Sequence, residues 1–103
     1  MTIAAAHELL ERIVKLAKAT LDPEPRCNVP SETWLSVRRE TRAPSKMWYG
    51  IVDDAAEVLL IACHNLAMAR EDRDVEGAAF WQATARGLLP RCEADLARAG
   101  TAR

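Results

Sequence analysis

Apolar residues recur at three- and four-residue steps along most of this chain, which is the period of helices that bury one face. Ile3, Ala6, Leu10, Ile13, Val14, Ala17 and Leu21 share one stripe, with Glu8, Glu11, Arg12, Lys15 and Lys18 on the other side. This predicts a helix over 3–21 with Thr2 as its N-cap. Asp22-Pro23-Glu24-Pro25 stops it, and residues 22–30 are expected to form an extended proline-rich connection with Cys27 and Val29 turned inward. After Pro30, residues 31–40 predict a short helix with Trp34, Leu35, Val37 and Arg38 on its inner side, closed by Ala43-Pro44.

The longest stripe follows. A third helix is expected from about Lys46 to Glu71, capped by Ser45, with Trp48, Ile51, Val52, Ala55, Leu59, Ala62, Cys63 and Leu66 in register. Leu60, Ile61 and Met68 widen that stripe, which predicts contact on more than one side. Residues 70–74 read as a polar turn, with Asp72 or Asp74 capping the last helical region. There Ala78, Ala79, Phe80, Ala83, Thr84, Gly87 and Leu88 carry the period, with Trp81 beside it. Pro90 is expected to kink or break this helix, Gly100 to cap it, and residues 100–103 to fray. The fold class is all-α: a small antiparallel bundle of three long helices and one short one, in a single domain over 1–103.

Composition sharpens this picture. The chain has 103 residues, half of them apolar, with few glycines and much Ala and Leu, which favours helix over sheet. A domain this small buries only about 60–65% of its unfolded surface, so dimerisation would help it. Fourteen basic and fifteen acidic residues leave a net charge of −1, so neither nucleic acid nor a membrane surface is an expected partner. The three cysteines, Cys27, Cys63 and Cys92, are odd in number and widely spaced, so free thiols in the cytoplasm are expected rather than disulfides or a zinc site. The N-terminal stretch has no basic segment before its apolar residues, and no span is predicted to cross a membrane.

Two charge groups stand out. Arg38, Arg39, Arg42 and Lys46 lie in and after the short helix, whereas Asp53, Asp54, Glu57, Glu71, Asp72, Asp74 and Glu76 make the middle acidic. Asp53 and Asp54 stand four and three residues before Glu57, a spacing that shares one helix face and suits a Mg²⁺ ion. Glu8 and Glu11 form a second pair on the first helix.

With the apolar run from Val58 to Ala62, these pairs resemble the MazG-like nucleoside triphosphate pyrophosphohydrolases. That resemblance implies Mg²⁺ held by Glu8, Glu11, Asp54 and Glu57, with a nucleoside triphosphate as substrate. Trp48-Tyr49-Gly50 at mid-chain resembles the turn of the W-x-G family of secreted helical hairpins. The residues read by themselves complete no catalytic constellation and call for no cofactor.

The leading expectation is therefore a cytoplasmic, non-enzymatic protein-binding module that engages a protein partner or a second copy of itself. An accessory factor or inhibitor carried by a phage or plasmid and acting on a host complex fits that description. Tryptophan and arginine concentrate binding energy at interfaces, which places the expected contact surface at Trp34, Arg38, Arg39, Arg42 and Lys46. The acidic set is a second surface, suited to a basic protein partner.

Overall fold

The computed structural model describes residues 3–22, 29–42 and 54–101, and these are helical almost throughout. Helix α1 is Ile3–Leu21, α2 is Ser31–Arg42, α3 is Asp54–Glu71 and α4 is Val75–Thr101. No strand occurs among the described residues. The all-α bundle of three long helices and one short one is what the periodicity dictates. Residues 46–53, where the third helix was expected to begin, lie outside the described residues together with Trp48, Tyr49, Gly50, Ile51 and Val52. So does Cys27, while Val29 packs partly buried against the core.

Helix α3 is the spine. Ala55, Ala56, Leu59, Leu60, Ala62, Cys63, Leu66 and Ala67 are all buried, and the helix packs against each of the other three. Such an apolar sector is wider than a surface helix needs, and it explains the contact on several sides. Met68 was expected to widen it further, yet it lies on the exposed side with Val58. The other helices close around this spine: α1 through Leu9, Leu10, Ile13, Val14, Ala17 and Leu21, and α2 through Trp34 and Val37. Leu35, expected inward, is exposed, because a helix as short as α2 has only a narrow stripe in reach of the core.

A tight turn folds α4 back along α3 to make the most extensive helix pair in the molecule. Asp74 donates its amide to the carbonyl of Ala69 at 2.8 Å and Arg73 to that of Arg70 at 3.2 Å. This six-to-one and five-to-two pairing is a Schellman motif, which needs a left-handed residue just past the helix end. Arg73 fills that place with φ 58°. The Asp74 carboxylate then caps α4, accepting the Gly77 amide at 3.0 Å. A Cβ on Gly77 would come within 2.2 Å of that carboxylate, so any larger residue there would require the Asp74 side chain to shift.

Two expectations about α4 change. The helix is not broken at Pro90 and does not end at Gly100, but extends from Val75 to Thr101. Pro90 is exposed, so its ring lies on the solvent side, where the backbone has room to accommodate it. The buried stripe is also different. Ala85 and Cys92 are fully buried, with Ala78, Trp81, Leu88, Leu89 and Leu96 packed beside them, whereas Ala79, Phe80, Ala83 and Gly87 face outward. The helix carries two apolar faces about half a turn apart, and the core takes the one with more side-chain bulk.

Replacing Arg73 with Gly relieves the left-handed strain and is expected to raise stability by about 0.5–1 kcal/mol. Asp74→Ala is expected to lower it by about 1 kcal/mol through loss of the cap. Urea unfolding followed by circular dichroism measures both.

Candidate functional site

The last turn of α3 makes polar contacts to both α1 and α2. Arg70 donates from Nη1 to the carbonyl of Thr20 at 2.7 Å, satisfying a backbone acceptor left open by the end of α1. The neighbouring Glu71 reaches the other way. Its two carboxylate oxygens accept the Ser31 amide at 2.8 Å and the Ser31 hydroxyl at 2.7 Å, capping α2 from another helix. A negative group there is favoured by the α2 dipole, and these two hydrogen bonds lower the Glu71 pKa. Thr20 is buried, donates its hydroxyl to Leu16 and accepts the Trp34 indole N–H at 3.1 Å.

Trp34 is thus 0% exposed and anchors α2 to the core, so it cannot serve as the exposed interface anchor expected of it. Its ring supplies the bulk that the alanines of α3 lack. Arg38 also turns inward, with Nη1 2.9 Å from Nδ1 of the buried His64. Arginine can only donate, so Nδ1 is the acceptor and the imidazole is neutral with its proton on Nε2. Burial lowers the His64 pKa, the Arg38 charge lowers it further, and Glu71 opposes both. Arg39 remains exposed, while the Arg42 side chain and Lys46 lie outside the described residues.

The acidic group is divided in the same way. Glu71 caps α2, Asp74 caps α4, Asp72 and Glu76 are exposed, and Glu57 is half-buried. Asp53 and the Asp54 side chain lie outside the described residues. Glu8 and Glu11 line a shallow groove of about 250 Å³ with Arg12 and Lys15, and Arg12 pairs with Glu40. Among the described residues no three His, Cys, Asp or Glu side chains gather where one metal ion could hold them. Cys63 and Cys92 are free and buried. Burial pushes the Cys63 thiol up to about 12, with the Arg70 charge opposing and Cys92 adding, so Cys63 holds its proton and is a poor nucleophile.

What remains available to a partner is the outward face of α4. Val75 is 80% exposed and Phe80 62% exposed, far beyond any other large apolar side chain described. Phe80 is not loose: its ring meets Trp81 edge to face, at 4.9 Å between centroids and 81° between planes. Trp81 in turn packs partly buried against the core. Compared with known proteins, the chain matches no family model, no curated protein and no solved structure. The surface must therefore be argued from its own chemistry. The sequence carried a signal for it, since Phe80, Ala83 and Gly87 keep the helical period, but that period does not say which of two faces the core will take. No helix among the described residues is long and apolar enough to cross a membrane.

Two measurements test the junction. Thr20→Val leaves the buried indole N–H without an acceptor and is expected to cost about 1–3 kcal/mol of stability, read by urea unfolding. His64 titrates below its ordinary value when folded, so the unfolded chain takes up its proton first as pH falls. Stability is therefore expected to be full above about pH 6.5 and to decline below it, and His64→Gln is expected to flatten that slope in unfolding curves at pH 8, 6.5 and 5.5.

Proposed function

We propose that this chain is a non-enzymatic protein-binding module and that the outward face of α4 is its contact surface. The observation that carries the reading is the second apolar face of α4, where Phe80 stands exposed with its ring edge to face with Trp81. A large aromatic side chain fixed in place loses little further freedom on binding, which is how a few residues come to dominate an interface. The basic residues of α2 play a smaller part than their clustering implies. Arg38 is committed to His64, which leaves Arg39 as an exposed cation beside the Arg12–Glu40 pair.

The two buried free thiols suit a reducing compartment, and the cytoplasm is the setting we assign. A small helical module with one apolar contact face suits an accessory or inhibitory role on a larger complex, of the kind a phage or plasmid brings to its host.

Phe80→Glu tests the surface. The exposed position lets the variant fold, so its helical circular dichroism and melting temperature are expected to stay close to those of the parent chain. Its affinity for the partner, read by pull-down and titration calorimetry, is expected to fall at least about tenfold. Unchanged binding would move the contact surface elsewhere.

A further inference from the structure

Helices α1, α3 and α4 each pack against both of the others, whereas α2 packs closely on α3 alone. Among the described side chains of α2 only Trp34 and Val37 are buried, so little apolar area holds this helix down. Polar contacts supply the rest. Ser31 meets Glu71 at the start of the helix, the Trp34 indole donates to Thr20 in the middle, and Arg38 meets His64 one turn beyond Trp34. Glu40 pairs with Arg12 of α1 at the surface, where an ion pair contributes least. The bundle is thus a closed set of three helices with a fourth strapped over it.

We propose that α2 is an acid-released flap and that His64 is the group whose protonation releases it. The geometry of the Arg38 contact makes it conditional. Nδ1 of His64 accepts from Arg38 Nη1 at 2.9 Å only while that nitrogen carries no proton. A proton there turns the acceptor into a donor and sets an imidazolium against a guanidinium, neither of which can accept. His64 sits on the spine helix with its ring buried, whereas Arg38 sits half-buried on the loosely held α2, so relief comes from the α2 side.

The charges around His64 define the pH range. Among the described residues, Arg38 of α2 and Glu71 of α3 itself are the ones that act on the ring, and α1 and α4 bring none to bear. Burial and Arg38 outweigh Glu71, so docked His64 binds its proton more weakly than a freed histidine with its ordinary value of 6.5. The open state therefore takes up the proton first, and opening grows as pH falls through 6.5. Glu71 does not titrate in that range, because its hydrogen bonds from Ser31 hold it below its ordinary 4.5. The contact between Arg38 and His64 is thus the one that pH switches. One proton bound at an ordinary histidine pKa limits the gain in opening to about tenfold between pH 7.5 and 5.5.

Release carries Trp34 and Val37 out of the core, so mild acid presents an aromatic side chain and the α3 surface beneath it, both covered at neutral pH. This surface is separate from the outer face of α4.

Hydrogen exchange of the full chain, followed amide by amide by NMR at pH 7.5, 6.5 and 5.5 and corrected for intrinsic rates, tests this. Buried amides of α3 report opening of the whole bundle, and α2 amides are expected to open at least about tenfold more often than these at every pH. Between pH 7.5 and 5.5 the α2 opening is expected to rise about three- to tenfold. His64→Gln keeps a neutral acceptor for Arg38, so its α2 opening is expected to stay level over the same range. Arg38→Met leaves His64 in place and is expected to raise the pH at which its ring titrates, read from the imidazole NMR signals, while shrinking the pH dependence of α2. Protection of α2 equal to that of α3 overturns the inference, because the helix then has no opening of its own. An α2 opening that stays level while the His64 ring takes up its proton also overturns it, since Arg38 then merely swings aside. A pH dependence that survives undiminished in either variant does the same, because the proton then acts elsewhere.

Discussion

The bundle depends on the adjacent charges Arg70 and Glu71 at the end of α3. One reaches back to the open carbonyl of Thr20 in α1, and the other reaches across to the first amide of α2. Two helix termini that would otherwise need water or their own caps are therefore closed by side chains of a third helix. The arrangement also resolves an awkward charge. A carboxylate at the C-terminal end of its own helix opposes that helix's dipole, whereas at the N-terminus of α2 the same carboxylate is favourable. Thr20 extends the junction by accepting from Trp34, so the largest side chain in the core is tied to the same polar cluster.

This junction sets what is left for function. Arg38, Glu71 and Asp74 look available when the chain is read as text, and each is used to hold helices together. The buried cysteines are likewise part of the packing, and the high pKa of Cys63 removes it from nucleophilic chemistry. With the polar candidates committed to contacts within the bundle or to its helix caps, the surface most unlike an ordinary solvated one is the apolar outer face of α4. A chain of this size has little area to spare for such a face unless something covers it.

Much of the architecture is legible in local sequence, for physical reasons that differ between elements. Helix α1 is bounded by a strong apolar period and by Asp22-Pro23, and its end at Leu21 follows from local sterics alone. The start of α2 after Pro30 is equally local. The left-handed place of Arg73 is not legible, because no glycine marks it and the motif is imposed by the tight return of α4. The role of Glu71 depends on α2 being brought alongside, which no spacing in the chain reveals. Trp34 was ambiguous for a related reason: its residue type suits both cores and interfaces, and its acceptor, Thr20, lies fourteen residues away on another helix. For α4, periodicity finds the helix but cannot choose between two faces of nearly the same period.

That ambiguity in α4 gives the turn before it a second meaning. A helix with two apolar faces can lower its energy in two rotational phases, one burying Ala85 and Cys92 and the other burying Phe80 and Ala83. Side-chain bulk favours the first phase, and the turn reinforces that preference. The backbone of Arg73 and Asp74 has a fixed direction, and the cap on Gly77 fixes the first turn of α4 relative to α3. The turn thus acts as a phase lock: by orienting the first residues of α4, it turns the bulkier of the two apolar faces toward the core from the first turn of the helix.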